Sequence, residues 1–238
     1  MSEAARGPLV SVVVPVFGGE RFLGEALDTI AGQSYPDIET IVVDDGSPDA
    51  SAEIASARPD VRLLREPHRG VAAARNAGVA AARGELIAFL DQDDLWHASK
   101  ISLQVALLGE RPELAIALTH VEMVLLDGTP RPPWLTWLTN QQPGYLPSTW
   151  LVRREAFERV GLFDTQYRVV CDADWLARAK DCGLINEMLE ETLVYWRIHE
   201  ANGSYEQERM RGETFRMLRA TAQRQRHPER EREPDHAS

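Results

Sequence analysis

The chain has 238 residues, enough to bury one large core or two small ones, and its 44% hydrophobic and 26% charged residues are an ordinary globular mixture. A formal net charge of −11 argues against a nucleic-acid-binding surface, since nothing systematic would neutralise phosphates, and against simple electrostatic adsorption to anionic lipid. Cys171 and Cys182 show neither metal-ligand spacing nor a disulfide framework, the N-terminus lacks a basic segment followed by a long apolar one, and no window approaches about 18 uninterrupted apolar residues. The expectation is a cytoplasmic α/β protein without signal peptide or membrane span, at most peripheral to a membrane.

In chain order, the β-branched run Leu9 to Val14 predicts a first buried strand, which Pro15 should stop because proline cannot donate to a ladder. Phe22, Leu23, Ala26, Leu27, Ile30 and Ala31 carry helical spacing and predict a helix over Glu20 to Gln33. A second strand, Ile38 to Val43, closes with Asp44-Asp45-Gly46-Ser47. Ser47 or Asp49 then caps a helix over Ala50 to Ala57. A short strand over Val61 to Leu64 and an alanine-rich helix over Val71 to Ala82 follow. After Gly84, the apolar stretch Glu85 to Leu90 predicts a central buried strand that ends in Asp91-Gln92-Asp93-Asp94.

Strands alternating with helices imply a parallel sheet with right-handed crossovers. Both acidic clusters, Asp44-Asp45 and Asp91 to Asp94, then lie at C-terminal strand ends, on the edge where open α/β sheets bind ligands. Three carboxylates within four residues repel one another unless a cation neutralises them. Mg²⁺ or Mn²⁺, with diphosphate oxygens completing its shell, is a natural partner. The alternative is a solvated acidic turn capping a helix that begins near Leu95.

Beyond that point the pattern predicts a helix over Leu95 to Leu108 and a strand within Glu113 to Leu126. The proline- and tryptophan-rich loop Thr129 to Trp150 would be either a wall for a sugar or acceptor or a flap packing its rings on the core. A strand over Ser148 to Val152, a helix over Arg154 to Val160, a helix from Asp172 to about Cys182 and a last strand over Leu193 to Ile198 complete the sheet region. Tyr205 to Arg226 is helix-prone with a sparse apolar set (Met210, Phe215, Met217, Leu218), suited to weak self-association or to docking on a partner. Pro228 to Ser238 is polar and expected to be disordered. The expected division is therefore a domain over 1–204 and a helix plus tail over 205–238.

Several stretches together are similar to the family 2 glycosyltransferases of the GT-A fold. They are Val12-Val13-Val14-Pro15-Val16-Phe17, Ile41 to Ser47, Gly70 to Gly78, Gly84 to Trp96 with its Asp-x-Asp element, Val160 to Asp164, Asp172 to Arg178, and Tyr195 to His199. The likeness covers roughly residues 9 to 204 and implies a Rossmann-like, mostly parallel central sheet flanked by helices, with a C-terminal helical tail. It also implies metal-dependent, inverting transfer of a sugar from a nucleoside-diphosphate sugar, most commonly a uridine one, to an acceptor hydroxyl. The acceptor could be a glycan, a lipid-linked sugar, a small molecule or a peptide.

The resemblance carries roles to particular positions. Pro15 and Val16 would line the nucleobase pocket, and Asp44 or Asp45 would accept hydrogen bonds from base or ribose. Arg75 would lie near the nucleotide and Asp91 near the ribose. Asp93 would hold the metal and diphosphate, leaving Asp94 as a helix cap. Asp172 would be the catalytic base, although Cys171 stands where the family usually has a glutamate. Asp174 would cap the helix or pair with Arg178, His199 would be a further metal ligand, and Arg197 would reach the diphosphate. His68, His97 and His120 show no partner pattern. Two rivals stand beside this reading. A sugar nucleotidyltransferase is disfavoured because Pro15 to Arg21 has no lysine for a triphosphate. A sugar-nucleotide-binding protein without catalysis has only the Cys171 departure for it.

Overall fold

The computed structural model describes residues 7–132, 135, 141–200, 202 and 206–226. Its first half follows the alternation of strand and helix. The order is β1 (Val10–Val16), α1 (Leu23–Ala31), β2 (Ile38–Asp44), α2 (Ser51–Ser56), β3 (Val61–Arg65), α3 (Val71–Ala81) and β4 (Leu86–Phe89). There follow β5 (Leu95–Trp96), α4 (Lys100–Glu110), β6 (Leu114–Leu125), β7 (Gln141–Pro143), a 3₁₀ turn over Pro147–Thr149, β8 (Leu151–Arg153), α5 (Arg154–Val160), α6 (Cys171–Asp181), β9 (Ile185–Ile198) and α7 (Gln207–Arg226).

The strands form one sheet in the order β3-β2-β1-β4-β8-β6-β9-β5, with β7 alongside β6. Pairing is parallel through β3, β2, β1 and β4 and between β6 and β9. β8, β7 and β5 run against their neighbours. Every residue of β1 is buried, as its unbroken apolar run requires of a strand covered on both faces. The pleat sends alternate residues to opposite faces. Val13 packs with α3, α5 and α6 around Phe89, Trp150, Phe163 and Trp175, whereas Val12 and Val14 pack with α1 and α4.

Pro15 does not stop β1, which runs on to Val16. Val13 accepts from the Leu90 N–H on the β4 side, so Pro15, two residues on, turns its missing donor to that same side, where the pairing with β4 ends at Val13. A proline there breaks no ladder bond.

Three further expectations change. Leu95 and Trp96 form a two-residue strand on β9, and the helix starts at Lys100. Residues 147–149 turn as a 3₁₀ segment before a strand that begins at Leu151. The last strand begins at Ile185, not Leu193. Only Tyr195 and Val194 of β9 meet β5, so 185–192 form an open edge carrying the exposed Glu190 and Glu191. A register shift between Thr119 and His120 skips those two glutamates, which erases any strict alternation from the sequence. In the aromatic loop Trp150 is fully buried in the core, its ring 5.6 Å from that of Trp175, so this ring packs inward. Trp134 and Trp137 lie outside the described residues, as do Gly203 to Tyr205 and the tail from 227.

Gly78 sets how closely α3 lies on β1, since a Cβ there would sit 2.2 Å from Val13 Cγ1 and 2.9 Å from Cγ2. Alanine would gain up to about 1 kcal/mol of helix propensity, but overpacking costs about 1–3 kcal/mol. Gly78→Ala is therefore expected to destabilise the fold by about 1–2 kcal/mol, read as a lower urea midpoint with an unchanged m-value. A raised midpoint would show that the helix can move off the strand freely.

Candidate functional site

The C-terminal ends of β1, β2 and β4 open onto a cavity of about 610 Å³, within the range of roughly 300–1,000 Å³ of small-molecule sites. The strand ends supply Pro15, Val16, Asp45, Asp91 and Asp93, α3 supplies Arg75, and the first turn of α6 supplies Asp172. The sheet thus gathers most of the sequence-predicted site residues in one place, and the loop around His68, the 3₁₀ turn and α7 complete the wall.

Each acid of the stretch after β4 has its own partner. Asp91 Oδ1 accepts from Arg75 Nη2 at 2.6 Å, and the Asp91 N–H donates to Ser148 Oγ at 3.1 Å. Gln92 grips the Phe17 backbone twice, accepting its N–H at 2.8 Å and donating to its carbonyl at 3.1 Å. Asp93 Oδ2 lies 2.9 Å from His199 Nε2 and accepts from Asn202 Nδ2 at 3.1 Å. The His199 ring rests on Phe22, with centroids 4.6 Å apart.

Asp94 is not the helix cap that the sequence suggested. It is buried, accepts from Ser148 Oγ at 2.6 Å and from the Arg197 N–H at 3.3 Å. Burial, together with the neighbouring Asp93 and Asp91, raises its pKa well above the usual carboxylate value. Arg197 sends its guanidinium to the Asp93 carbonyl and to Glu25 and is not among the cavity-lining side chains.

The two acids after β2 separate. Asp44 turns inward to accept the Ser47 N–H at 2.9 Å and does not line the cavity. Asp45 does, and it organises the loop before α3 by accepting the N–H groups of Arg69 and Gly70 at 2.8 Å each. Gly70 has φ +93°, a conformation that favours glycine. His68 Nδ1 stands 2.9 Å from Asp45 Oδ2, and its ring stacks on Phe17 at 4.1 Å. His68 was not legible as a site residue, and neither were Gln92 and Asn202. Their partners lie 23, 75 and 109 positions away, and none sits in a local pattern that announces them.

Arg75 is buried, with its cation 5.8 Å from the Phe163 ring centre and Nη1 3.5 Å from Cys171 Sγ, while its Nε has no hydrogen-bond partner. Cys171 thus sits against the arginine, and burial pushes its thiol up to about 12. Asp172 follows on the same helical turn. Burial raises its pKa, and the Arg75 charge partly offsets this. Asp174 points away, as expected, and pairs with Arg178 at 2.8 Å.

Carboxyl groups outnumber cations on the cavity wall, with Asp45, Asp91, Asp93, Asp94, Asp172 and Glu206 against Arg75 and Arg168, which favours an added cation. Asp93, on the cavity wall, and His199, which lies beside it but is not among the lining side chains, could together hold one. Their 2.9 Å separation makes a hydrogen bond and also matches the roughly 3 Å between neighbouring ligands of an octahedral ion at about 2.1 Å. Among the described residues no group of three His, Cys, Asp or Glu side chains could hold a metal, so the rest of a shell would come from ligand oxygens and water.

A mostly parallel α/β sheet with an acid-lined, nucleotide-sized cavity at its C-terminal edge defines a GT-A type of domain. Residues 11–161 match the family model described as glycosyl transferase family 2, and the chain belongs to that family. It is 34% identical over 212 residues to the uncharacterised glycosyltransferase EpsJ of Bacillus subtilis, covering 80% of this chain and 61% of that protein. It is 29% identical over 217 residues to an uncharacterised glycosyltransferase of Nostoc sp., covering 81% of this chain and 66% of the relative. The chain thus spans about two thirds or less of these relatives. Among solved structures, Staphylococcus aureus TarS in complex with UDP-GlcNAc superposes with a TM-score of 0.67 at 21% identity, over 82% of this chain and 60% of that one. The mannosyltransferase PcManGT from Pyrobaculum calidifontis, in complex with GDP-Man and Mn²⁺, gives 0.69 at 22% over 87% and 61%. At such identities the likeness speaks for the fold.

Ser148, fully buried, ties the acidic stretch to the wall by serving both Asp91 and Asp94. Ser148→Ala would leave a backbone donor and a buried carboxyl without their partner, which costs about 1–3 kcal/mol. The urea midpoint is expected to fall accordingly. An unchanged midpoint would mean that water replaces the hydroxyl and the tie is dispensable.

Proposed function

We propose that the chain is the catalytic domain of a metal-dependent glycosyltransferase that moves a sugar from a nucleoside-diphosphate sugar to an acceptor hydroxyl with inversion. The observation that carries this reading is that one cavity joins Asp91 and Asp93, at the end of β4, to Asp172, at the start of α6. The first two suit the donor's ribose and diphosphate, and the third suits an incoming hydroxyl. The catalytic unit is taken as 1–204, with 205–238 as a C-terminal helix and tail.

In this reading Pro15 and Val16 flank the base and Asp45 with His68 bounds the base or ribose side. Arg75 holds Asp91 in place by their 2.6 Å ion pair. Asp93 and His199 hold Mn²⁺ or Mg²⁺, which supplies Lewis-acid stabilisation of the leaving diphosphate when bound. Asp172 takes the proton of the acceptor hydroxyl as that oxygen attacks the anomeric carbon and the bond to the nucleoside diphosphate breaks. A carboxylate whose pKa is raised by burial is the better base, and positioned proton transfer contributes about 10²–10⁴-fold. The bound nucleotides in TarS and PcManGT carry uracil and guanine respectively. Both therefore belong in a test of the donor, with a uridine donor as first choice. Among the described residues no helix is long and apolar enough to cross a membrane.

Asp172→Asn is expected to fold and bind nucleotide but to turn over about 10²–10⁴-fold more slowly; near-normal turnover would remove Asp172 from the role. The pH profile carries a second check. A base must be deprotonated to act, so kcat/KM should fall as pH drops through the Asp172 pKa. That limb should lie above the ordinary value of about 4 and be absent from the residual activity of the variant.

A thermal-shift series with UDP and GDP, with and without Mn²⁺, tests the donor and the ion together, because binding stabilises by mass action. One nucleotide should raise Tm in a metal-dependent way, and Asp93→Ala should abolish that dependence. Donor hydrolysis or transfer that withstands chelation would exclude the metal-dependent form of the reaction.

A further inference from the structure

The family match ends at residue 161, and α7 begins 46 residues later at Gln207. Its sparse apolar face reads as a surface appendage, yet its buried residues are Glu213 and Met217. Met217 joins the core cluster around Phe163 and Trp175, with Met210 packed against it. Arg224 reaches Asp181 at 3.2 Å and Asp174 at 3.9 Å, so α7 is fastened along α6 by apolar and ionic contacts alike.

Glu213 is the odd member of this contact. It is only 3% exposed, and among the described residues its one cation within ion-pair range is the exposed Arg216, at 3.9 Å. Burying a carboxylate is costly unless hydrogen bonds replace its water. Glu213 Oε2 accepts the backbone N–H groups of Arg168, Val169 and Val170 at 3.1, 2.8 and 3.3 Å, and Oε1 shares the first at 3.2 Å. These donors immediately precede Cys171 and Asp172, where α6 starts and where an anion is favoured by unpaired N–H groups and the helix dipole. The N-cap residue of α6, Val170, has no capping side chain. Glu213 therefore holds the segment that leads into α6, up to its N-cap residue, and not the amides of the first turn itself.

We infer that Glu213 is a positioning residue for Asp172: it clamps the backbone of 168–170 and thereby fixes the first turn of α6 against Arg75 and Asp91. The inference rests on the glycosyl-transfer reading of the site. Arg168 and Val169 also line the cavity, as do Met210 of α7 and Glu206 just before it, so the same clamp shapes the wall beside the base. Apolar packing by Met217 would hold α7 in place without Glu213, but it would not set the height of the α6 N-terminus. A misplacement of about 1 Å at a reacting group can cost on the order of 10²-fold in rate.

The test compares Glu213→Ala, Glu213→Asp and Glu213→Gln with wild type in three readouts. These are backbone hydrogen exchange, affinity for UDP or GDP with Mn²⁺ (whichever stabilises the wild type), and nucleoside diphosphate release from the matching sugar donor. Wild type should protect the amides of 168–170 relative to that of the exposed Thr165. Ala, and Asp with its shorter reach, should lose that protection and turn over about 10–100-fold more slowly, with nucleotide affinity and donor KM within about twofold. Gln keeps an acceptor oxygen for the N–H groups and should recover most of the rate. Should Ala fail to fold, Gln against Asp decides.

Free exchange at 168–170 in wild type would overturn the clamp. So would wild-type turnover in a variant that has lost protection. A parallel fall of nucleotide affinity and turnover in Ala and Gln alike would reduce Glu213 to a structural residue. A wild type that protects these amides yet releases no nucleoside diphosphate from any donor would instead sink the transfer reading, and the inference with it.

Discussion

Mutual repulsion among Asp91, Asp93 and Asp94 is the constraint around which the site is built. Three carboxylates on four consecutive residues cannot share one environment at neutral pH, and the fold sends each to a different one. Asp91 goes to a buried arginine, Asp93 to an imidazole and an amide, and Asp94 into the interior, against a serine and a backbone N–H. Gln92, between them, locks the stretch to the loop after β1. The partners come from α3, the 3₁₀ turn before β8, and the end of β9 with the residues after it. Satisfying the acids therefore pulls both halves of the chain to the same edge of the sheet.

That gathering explains why the two halves look so different. The first is a parallel βα alternation that presents strand ends, and its central strands β1 and β4 are buried at every residue. The second must bring residues such as Ser148, Asp172 and His199 back to those ends, and it does so with antiparallel strands, a short 3₁₀ turn and a long bulged strand. β6 is the hinge of this arrangement, antiparallel to β8 and β7 and parallel to β9. α6 is set by what touches both of its ends, with the Glu213 carboxylate before its first turn and Arg224 at Asp181 in its last.

Periodicity and turn chemistry made β1 to β4, α1, α3 and α5 legible, because those elements are buried on regular faces and their patterns are their own. The acidic stretch was legible as a site because unpaired carboxylates at a strand end have few bland explanations. What the sequence hid was fixed by distant partners. Leu95 and Trp96 are a strand only because β9 is beside them. Residues 185–192 are a strand whose open edge and bulge remove the alternation. Asp94 reads as a helix cap until Ser148 is placed next to it. Asn202, His68 and Glu213 act through backbone or side-chain atoms that nothing local identifies. Asp44 and Asp45 look alike in sequence, yet at the end of β2 one turns to the Ser47 N–H and the other to the cavity.

Cys171 has a bearing on how the protein can be probed. Its sulfur lies beside Arg75 and one residue from Asp172, at the centre of the site, yet burial pushes the thiol up to about 12, which disfavours the thiolate at neutral pH. Alkylating agents and peroxide act on the thiolate, so Cys171 is chemically silent despite its address. Cys182, at the far end of the same helix and exposed, is the thiol that reagents will find. A spectroscopic label can thus be attached one helix length away from the chemistry without a cysteine having first to be removed from the site itself.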